Sequence, residues 1–464
     1  MHYHDDHWHE ECGVFGIYGD PEAAEKTYLG LYALQHRGQE SAGIASTNGS
    51  SIALKKGLGL LWSVFADPAA MPRLRGSAAI GHNRYSTRGA SDIINAQPIC
   101  IESRLGEMAL AHNGTITNAS DLRRGLQEAG AIFQTTSDSE IMLHLMARSR
   151  GQGFMPVLRD ALTQLQGAFS LVLLTPGRLI AVRDPFGFRP LSLGRLGSAH
   201  VVASETCAFD IIGAEYVRSI EPGEIIEIDS QGLRAHRLDP APRQCACIFE
   251  HIYFARPDSI VFGEKVDKVR SLLGKELARE APCDADIVIA VPDSGNTAAL
   301  GYARESGLRY EIGLIRNHYI GRTFIAPHQD KRKLDVRVKL NPVQGVIEGR
   351  RVVLVDDSIV RGTTMRQIVQ LLRSKGAAEV HVRISSPPIG YACYYGIDIS
   401  DKAELIASAR SIDYIKNHIE ADSLAYLSTQ AMLRTVDDGS GYCTACFTGE
   451  YPGPVPVGFH KIGF

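Results

Sequence analysis

Two patterns of hydrophobic and polar positions divide the chain. From about residue 12 to residue 238, short alternating or apolar runs end at Gly, Asn or Asp, as in "MALAHNGTI" and "GEIIEIDSQG", and each run predicts a strand that meets a turn. Helical spacing interrupts the strands at residues 21–35 and 139–148, where Ser137 or Asp138 is the predicted N-cap of the second helix. We therefore expect sheets that pack on each other under a cover of helices.

The second pattern alternates strands with helices. "ADIVIAVPDSG" is followed by "NTAALGYARESG", and "RRVVLVDDS" is followed by "TTMRQIVQLLRSKG". This order is typical of βαβ units that build a parallel sheet. We place the change of pattern between residues 238 and 246, which predicts a leader over residues 1–11, a first domain over 12–240 and a second domain over 241–464.

Composition and charge narrow the class of protein. The 464 residues are 44% apolar and 22% charged, with a formal net charge of -3, so the surface as a whole gives no electrostatic reason to bind nucleic acid or an anionic membrane. The longest apolar runs fall far short of the roughly 20 residues that cross a bilayer. The N-terminus also lacks the pattern of a secretory or transit peptide. The sequence predicts a cytoplasmic enzyme.

The stretch "RRVVLVDDSIVRGTTMRQ" carries the most specific pattern in the sequence. Its four apolar residues, 352–355, predict a buried strand, and Asp356 and Asp357 follow at the carboxyl end of that strand. Open α/β folds bind ligands at this edge of the sheet, and backbone amides in a tight loop donate to phosphate. Adjacent carboxylates repel each other unless cations or sugar hydroxyls compensate. We interpret the pair and its loop as a ligand site rather than a simple helix cap.

Two further segments of the second domain are candidates for the same site. In "IAVPDSGNTAA", Asp293 and Ser294 follow a predicted strand one βα unit before the acidic pair. The resemblance of "VDDSIVRGTT" to the type I phosphoribosyltransferases implies that a pyrophosphate and its metal lie there. The basic segment "RNHYIGRTFIAPHQDKRKLDVRVKLN" is either a solvated charged loop or a lid that closes Arg322 and Lys339 over a pyrophosphate. Both interpretations of the basic segment stay open at this point.

The first domain carries polar motifs beside its predicted strands, among them "LQHRGQESAGI", "GHNRYSTRG", "AHNGTITN" and "TSDSE". A site for an α-amino acid needs a partner for the carboxylate, a partner for the ammonium group and donors for an oxyanion. Arg84, Asp138, and Asn113 with Gly114 can supply these in turn. Cys12, in "ECGVFGI", is either a nucleophile or a buried structural thiol.

The chain has nine cysteines, which in a cytoplasmic protein are more often catalytic, metal-binding or buried than disulfide-bonded. Cys443 and Cys446 form a C-x-x-C pair that suits a redox dithiol, half of a zinc site or part of an iron–sulfur site. We disfavour the dithiol, because the pair does not begin a helix in a βαβ pattern. Cys393 and one of Cys245 or Cys247 are candidates for completing a four-thiolate site. Three others are predicted to be buried small hydrophobes: Cys100, Cys207 and Cys283.

The stretch "VLVDDSIVRGTT" resembles the type I phosphoribosyltransferases, whose domain is an α/β fold around a parallel sheet. The resemblance implies that Asp356 and Asp357 address the ribose hydroxyls or one bound Mg²⁺, with Ser294 as a further magnesium ligand. It also implies that the following loop holds the 5-phosphate through these residues: Ser358, Arg361, Gly362, Thr363 and Thr364.

Together with "ECGVFGI", the polar motifs of the first domain resemble the glutaminase domain of N-terminal-nucleophile amidotransferases, an α+β fold with αββα layers. The nucleophile of that family is the first residue of the mature chain. A free α-amine titrates near about 7.7–8.0 and can act as general base for the adjacent thiol, which an amide nitrogen cannot do. The resemblance implies that residues 1–11 are a propeptide cut before Cys12, and that the glutamine-binding and oxyanion residues are Arg84, Asn113, Gly114 and Asp138.

The combination of these two domains resembles the glutamine phosphoribosylpyrophosphate amidotransferases over about residues 10–452, and in particular the class with a propeptide and a 4Fe-4S cluster. That resemblance implies which thiolates hold the cluster: Cys247, Cys393, Cys443 and Cys446. Cys245 fits the pattern less well. One departure from the family is Asn83, directly before "RYSTRG", where an apolar residue is usual.

The same resemblance implies the reaction. Ammonia released from L-glutamine crosses an internal channel and displaces pyrophosphate from magnesium-bound phosphoribosyl pyrophosphate, which gives 5-phosphoribosylamine in the first committed step of purine synthesis. Members of the family are homo-oligomers, usually tetramers, that purine nucleotides inhibit.

Three alternatives to this function and to its iron–sulfur cluster can be weighed against the sequence. Another glutamine amidotransferase would need a sugar-isomerase domain or an ATP-pyrophosphatase "SGGxDS" loop, where this chain has "VDDSIVRGTT". A nucleotide-sensing regulator without catalysis is opposed by the presence of Cys12, Arg84, Asn113 and Asp138. The third alternative concerns the metal, because four thiolates can also hold zinc as a structural clamp.

Overall fold

The first half of the fold consists of antiparallel strands and six helices. The computed structural model describes residues 12–85, 92–317, 340–397 and 402–455. The strands of the first half are β1 (Gly13–Tyr18), β2 (Ser41–Thr47), β3 (Ile52–Leu58), β4 (Ala78–Arg84), β5 (Ile99–Ser103), β6 (Gly106–Ile116), β7 (Gly167–Thr175), β8 (Arg178–Arg183), β9 (Ser192–Leu196), β10 (Ala199–Ala203), β11 (Glu215–Ser219), β12 (Glu224–Asp229) and β13 (Gly232–Arg237). The helices are α1 (Ala23–Ala33), α2 (Leu61–Val64), α3 (Ala119–Glu128), α4 (Ser139–Arg148), α5 (Phe154–Leu162) and α6 (Cys207–Asp210).

Two antiparallel sheets lie face to face in this half. One has seven strands in the order β11-β9-β10-β1-β4-β2-β3, and the other has six in the order β13-β12-β8-β7-β6-β5. Alternating apolar side chains fill the space between them, for example Val14 and Ile80 from the first sheet and Val172 and Leu179 from the second. The outer face of the first sheet packs against α1, α2 and α6, and that of the second packs against α3, α4 and α5. The predicted αββα arrangement is confirmed.

The second half alternates short strands with helices. Its strands are β14 (Ala246–Cys247), β15 (Ile260–Val261), β16 (Glu264–Lys265), β17 (Ile287–Ala290), β18 (Arg309–Tyr310), β19 (Leu314–Arg316), β20 (Leu340–Pro342), β21 (Arg351–Asp356), β22 (Glu379–Ile384), β23 (Ser423–Tyr426) and β24 (Tyr442–Cys443). Its helices are α7 (Val266–Glu280), α8 (Asn296–Ser306), α9 (Gln344–Ile347), α10 (Thr363–Ser374), α11 (Ile406–Ala409), α12 (Ile412–His418), α13 (Thr429–Leu433) and α14 (Ala445–Thr448).

A five-stranded sheet in the order β18-β17-β21-β22-β23 forms the centre of this half, and its strand pairs are parallel. Helices α7, α8 and α13 pack on one face, and α10 and α12 pack on the other. Helix α10 turns Met365, Ile368, Val369 and Leu372 into the core at the three-and-four spacing of an amphipathic helix. The predicted α/β fold with a parallel sheet is confirmed.

The helix predictions for the first half agree with the structure except at their ends. Helix α4 spans Ser139–Arg148 as predicted, with Asp138 at the N-cap position. Its side chain does not cap the helix, because it accepts a hydrogen bond from the backbone amide of Ile116 instead. The helix expected over residues 21–35 covers only Ala23–Ala33, and the chain then tightens into a 3-10 turn over Gln35–Arg37. Among the described residues, no helix is long and apolar enough to cross a membrane.

The chain enters the second half along a loop of the first half. The backbone amide of Cys245 donates to the carbonyl of Phe186 at 2.8 Å, and that of Cys247 donates to the carbonyl of Phe188 at 3.0 Å. The C-terminal segment returns to the same place, because β14 pairs with β24 so that Cys247 lies opposite Cys443.

A π-helix, Glu250–Phe254, follows directly and is held by a side chain of α7. Arg270 donates to the carbonyls of His251 and Tyr253, both at 2.8 Å, and to that of Ala255 at 2.7 Å. Wide turns of this kind recur at functional sites. In this protein the π-helix carries Glu250 to Arg37, which donates to the carbonyl of Cys12.

Candidate active sites

Cys12 lies at the start of the central strand β1, between the two sheets. Because β1 and β4 are antiparallel with Gly13 opposite Asn83, the residue before β1 comes next to the residues that end β4. The Cys12 thiol donates to the carbonyl of Tyr85 at 3.4 Å, and the side chain is only 7% exposed. The cysteine is therefore placed at a strand edge beside Arg84. This position fits the predicted nucleophile, whose substrate would have its carboxylate bound by Arg84.

Arg84 ends β4 and is buried. Its carbonyl accepts a hydrogen bond from the amide of Glu40 at 3.0 Å, so the residue that precedes β2 holds the backbone of Arg84. Asn83, the one departure from the family pattern, is also buried, and its Nδ2 donates to the carbonyl of Leu31 in α1 at 2.6 Å. The side-chain nitrogen of Asn83 thus has a hydrogen-bond partner in helix α1.

Asn113 and Gly114 lie next to each other on β6, opposite Ser170 and Phe169 of β7. Asn113 is 1% exposed, and within the described part of the chain its Nδ2 has no hydrogen-bond partner. Gly114 has φ +141°, and a β-carbon there would lie 2.1 Å from the carbonyl oxygen of Ala168. A buried amide with an unused donor, next to a glycine amide, is the arrangement that an oxyanion needs.

Asp138 lies beside the same strand. One of its carboxylate oxygens accepts from the amide of Ile116 at 2.9 Å, and the other is 4.0 Å from Nδ1 of His112. His112 is buried, and Nδ1 also contacts the hydroxyl of Ser139 at 2.9 Å. Burial lowers the pKa of His112, so the imidazole is neutral near pH 7. No role for His112 was predicted from the sequence, and its imidazole lies between Asp138 at 4.0 Å and the Ser139 hydroxyl at 2.9 Å.

Glu140 holds the loop that precedes Asp138. Its carboxylate accepts from the amides of Gln134 at 2.8 Å and Thr135 at 2.7 Å, and His144 lies 3.3 Å away. Burial alone would raise the pKa of Glu140, but these hydrogen bonds, including that of His144, lower it to about 2. The loop is therefore fixed by an ionised carboxylate.

A buried ion-pair network lies directly beneath Cys12. Nε of Arg37 donates to the Cys12 carbonyl at 3.2 Å, and its two terminal nitrogens donate to both carboxylate oxygens of Glu250, at 2.9 and 2.7 Å. Nη1 of Arg37 also donates to Glu205 at 2.6 Å. Nη1 of Arg189 donates to Glu250 at 3.3 Å, and all four side chains are at most 1% exposed.

This network was missed from the sequence. Burial alone would raise the pKa of Glu205, but the charges and hydrogen bonds of His36 and Arg37 hold it well below its ordinary value. Arg37 comes from "LQHRGQESAGI" and Glu250 from "CIFEHIYFARP", both of which are conspicuous in the sequence. Charged residues inside such largely apolar or glycine-rich motifs are a signal of buried pairing, although the sequence does not say with which partner.

The acidic pair lies at the carboxyl end of β21, as predicted. Asp356 is the last residue of the strand, and the amide of Asp357 donates to its carboxylate at 2.9 Å. The hydroxyl of Ser358 hydrogen-bonds to the Asp357 carboxylate. Burial, and then the negative charge of Asp357, raise the pKa of Asp356 well above its ordinary value. The pair therefore concentrates negative charge that a cation would relieve.

Asp293 and Ser294 lie in the loop after β17, the strand next to β21. The parallel register sets Ala290 opposite Val355, so both strands end at the same edge. The amide of Val291 donates to the carbonyl of Val355 at 2.9 Å, which brings the loop alongside the acidic strand. Arg316 of β19, which the sequence did not single out, contacts Asp293 at 3.0 Å.

The loop after the acidic pair opens helix α10. Gly362 is its N-cap with φ +82°, and Thr363 and Thr364 form the first turn, the part of a helix whose backbone amides can donate to a phosphate. Arg361 pairs with Glu404 at 2.8 Å. Five of the predicted phosphoribosyl residues are thus grouped in one loop and helix start: Ser358, Arg361, Gly362, Thr363 and Thr364.

Four cysteines line one pocket between the halves of the molecule. The thiols in its lining are those of Cys247, Cys393, Cys443 and Cys446. Among the described residues, no three His, Cys, Asp or Glu side chains converge closely enough to hold a single metal ion. All nine cysteines lie in the described part of the chain, and none of them forms a disulfide bond.

The four thiols of the pocket influence one another's pKa values. Burial first, and then Cys393, Cys247 and Cys443, raise the pKa of Cys446, and burial raises that of Cys443 to about 12. Cys245 is fully buried behind the pocket and does not line it. Cys446 lies in α14, a single helical turn, Ala445–Thr448, outside the parallel sheet, so the pair does not begin a helix in a βαβ pattern.

Three predicted features lie outside the described residues. These are the leader 1–11 and the two basic side chains of the predicted lid, Arg322 and Lys339. The strands that flank the lid, β19 and β20, pair with each other so that Arg316 lies opposite Leu340.

Comparison with known proteins agrees with these two centres. Residues 82–210 match the glutamine amidotransferase domain family, and residues 264–385 match the phosphoribosyl transferase domain family. Among solved structures, glutamine phosphoribosylpyrophosphate amidotransferase from Bacillus subtilis, complexed with ADP and GMP, superposes with a TM-score of 0.91 at 49% identity, covering 96% of this chain and 98% of the other. A structure described as the allosteric regulatory enzyme of purine biosynthesis gives a TM-score of 0.92, also at 49% identity, covering 96% of this chain and 97% of the other.

Similar proteins agree over nearly the full length. The amidophosphoribosyltransferase of Bacillus subtilis is 49% identical, covering 96% of this chain and 94% of the relative. That of Synechocystis is 50% identical, covering 98% and 93%, and chloroplastic amidophosphoribosyltransferase 2 of Arabidopsis thaliana is 52% identical, covering 96% and 79%. The chain therefore belongs to the amidophosphoribosyltransferase family, and it catalyses the glutamine-dependent synthesis of 5-phosphoribosylamine from phosphoribosyl pyrophosphate, the first step of purine biosynthesis.

Proposed function

We propose that two separate centres divide this reaction, with Cys12 hydrolysing glutamine and the acidic pair Asp356–Asp357 organising phosphoribosyl pyrophosphate. The observation that carries the first assignment is the position of Cys12, buried at the edge of β1 with its thiol on the Tyr85 carbonyl, next to Arg84. In this proposal Arg84 binds the substrate carboxylate and Asp138 binds its ammonium group. Each contact is a charge-assisted hydrogen bond.

Hydrolysis then proceeds through a thioester. The Cys12 sulfur attacks the side-chain amide carbon of glutamine, and the oxyanion receives hydrogen bonds from the Asn113 amide and the Gly114 backbone. The unused Nδ2 donor of Asn113 supports this role. Collapse of the intermediate releases ammonia with a proton from the catalytic base, and water cleaves the thioester to glutamate and free thiol.

The base in this proposal is the α-amine of Cys12, which exists only after residues 1–11 are removed. A free α-amine titrates near about 7.7–8.0 and can hold the thiol proton at neutral pH. Intact mass and N-terminal sequencing of untagged protein, followed by an assay for ammonia release, test this step. A mature chain that starts at Cys12 and releases ammonia is expected. A fully active chain that still begins before Cys12 would refute the proposed base.

In the second centre, Asp293, Ser294, Asp356 and Asp357 take the pyrophosphate, its Mg²⁺ and the ribose. Burial, and then the charge of Asp357, raise the pKa of Asp356, and a bound cation would favour the ionised pair. Ser294, Asp356 and Asp357 offer the oxygen ligands that magnesium prefers, and the ion would neutralise the leaving pyrophosphate. The 5-phosphate falls to the loop and helix start of Ser358, Arg361, Gly362, Thr363 and Thr364, with Arg322 and Lys339 as further predicted phosphate partners.

For the cysteine pocket we propose a 4Fe-4S cluster on Cys247, Cys393, Cys443 and Cys446. The lining of one pocket by these four thiols supports a shared metal group, and coordination would deprotonate thiols whose pKa values are raised in its absence. Protein purified without oxygen should contain iron and acid-labile sulfide and be coloured. Colourless protein with zinc and no iron would replace the cluster with a structural zinc site.

Some properties rest on the family alone. We propose domain limits of 12–240 and 241–464, a cytoplasmic location and a homo-oligomer. A tetramer is the family pattern, and gel filtration with light scattering tests it. Inhibition by purine nucleotides is proposed from the relative of Bacillus subtilis, which is complexed with ADP and GMP. Titration of synthesis with these two nucleotides tests it directly.

A further inference from the structure

The segment that follows Cys393 makes direct contact with the glutaminase centre. Gly396 is buried, with φ +112°, and a β-carbon there would lie 3.3 Å from the α-carbon of Gly114 and 3.0 Å from Nη2 of Arg189. One residue earlier, the ring of Tyr395 stacks on Phe188 with centroids 4.2 Å apart. The backbone of the cysteine-pocket segment thus closes against the glycine proposed to bind the oxyanion.

Arg189 joins this segment to the buried network under Cys12. Its Nε donates to the carbonyl of Tyr395 at 3.0 Å, and its Nη1 donates to Glu250 at 3.3 Å. Glu250 in turn holds Arg37, which donates to the carbonyl of Cys12 at 3.2 Å. The amide of Tyr395 donates to the sulfur of Cys393 at 3.4 Å, so each link from a pocket cysteine to the nucleophile is a hydrogen bond or an ion pair.

A second link runs from Arg189 to the oxyanion strand. The Arg189 carbonyl accepts from the hydroxyl of Ser170 at 3.2 Å and from Nε of Arg183 at 3.0 Å. Ser170 is the residue of β7 opposite Asn113. Arg189 therefore lies where the nucleophile, the oxyanion donors and the pocket segment meet.

We propose that Gly396 and Arg189 are positioning residues for the glutaminase half-reaction, through which the cysteine-pocket segment sets the geometry of Gly114 and Cys12. The inference rests on the proposed roles of Cys12 and Gly114. The contacts given above for Gly396 and Arg189 lie in the first half, in the cysteine-pocket segment and at Glu250, so the proposal expects ammonia-dependent synthesis to be unaffected. Hydrogen bonds in a buried, charged network transmit small displacements, because the partners cannot be replaced by water.

The decisive variant is Gly396→Ala, with Gly307→Ala as its matched control. Both glycines have positive φ, but around Gly307 (φ +74°) a β-carbon meets nothing within 4 Å. Both alanines therefore carry the backbone penalty, and only Gly396→Ala presses on Gly114 and Arg189. We expect glutaminase kcat to fall about 100-fold in Gly396→Ala, the loss typical of a displaced oxyanion donor, with the KM for glutamine changed less than about threefold.

Two readouts separate positioning from general damage. In Gly396→Ala, the rate at which a chloroketone analogue of glutamine alkylates Cys12 should fall with kcat, while iron content, N-terminal processing and ammonia-dependent synthesis equal those of Gly307→Ala. Equal glutaminase kcat in the two variants overturns the proposal, and so does parallel loss of both half-reactions.

If Gly396→Ala does not fold, Arg189→Lys tests the positioning role instead. Lysine keeps the positive charge beside Glu250 but cannot also reach the Tyr395 carbonyl with a planar fork, so a fall of about tenfold in glutaminase kcat is expected. An unchanged kcat in that variant overturns the proposal. The underlying assignment fails separately, namely if Cys12→Ala retains glutaminase activity in the otherwise unaltered protein.

Discussion

The glutaminase centre and the phosphoribosyl centre are built in opposite ways. Cys12 is 7% exposed and Asn113 is 1% exposed, whereas Asp293 and its partner Arg316 each leave 54% of the side chain in solvent. The first centre lies between two sheets and is held by paired buried charges. The second lies on strand-end loops, and like charges face each other at Asp356 and Asp357. This contrast fits the proposal that folding itself organises the first centre, while a cation and the substrate would complete the second.

The largest effect should separate the two centres completely. Cys12→Ala removes the nucleophile, and we expect glutamine-dependent synthesis to fall by about 10³-fold or more while ammonia-dependent synthesis stays within about twofold. Parallel assays with glutamine and with ammonium chloride measure the ratio. Cys207→Ala, which removes another buried thiol of the same half, is the control and should keep both activities. Equal loss with both nitrogen donors would contradict the division.

The second largest expected effect is on the free energy of unfolding, which should fall more when a charge is removed from the first centre than from the second. Arg37→Met leaves Glu205 and Glu250 buried without their main cation, and breaking such a pair costs about 3–5 kcal/mol. Arg316→Met breaks the exposed pair with Asp293, which is worth about 0–1 kcal/mol. Urea unfolding followed by fluorescence gives both free energies. Similar losses in the two variants would show that the first centre is not stabilised by its network.

Charge in the second centre should affect synthesis alone. Asp357→Asn removes one carboxylate of the pair, and we expect synthesis to fall about 100-fold with either nitrogen donor, because the proposed cation loses a ligand. Glutamine hydrolysis should stay near the wild-type rate. Asp413→Asn, an exposed acid of the same half, is the control. Loss of hydrolysis as well, in a folded Asp357→Asn protein, would place the acidic pair in both half-reactions.

The sequence predicted local structure well where the pattern is local. The αββα layers, the parallel sheet, helix α4 and the strand before Asp356 follow from hydrophobic period and turn residues. The position of the loop after Asp357 at a strand end was predictable because its residues are contiguous, while their phosphate role stays a prediction. Asn113 and Gly114 share one motif and lie next to each other on β6, and their oxyanion role likewise stays a prediction.

Contacts between distant segments could not be predicted from those patterns. Arg37 pairs with Glu250 across 213 positions, and Arg189 reaches Tyr395 across 206. The hydrophobic period predicts which face of a helix or strand is buried. It does not predict which buried charged residues form pairs with each other. The contact of Gly396 with Gly114 likewise depends on how the two halves dock. The structure therefore adds the links between centres rather than the centres themselves.

The smallest expected effect is a difference in pH dependence. The Glu140 carboxylate has its pKa lowered from 4.5 to about 2, so its stabilisation of the Asp138 loop is complete above the ordinary value and is lost as pH falls through about 2. Asp356 has a raised pKa, so acid instead relieves repulsion in the second centre. Glu140→Gln should therefore be less stable than wild type in urea at about pH 6, with the difference vanishing near pH 2. A difference independent of pH would mean that the geometry of the Glu140 hydrogen bonds, and not its charge, holds the loop.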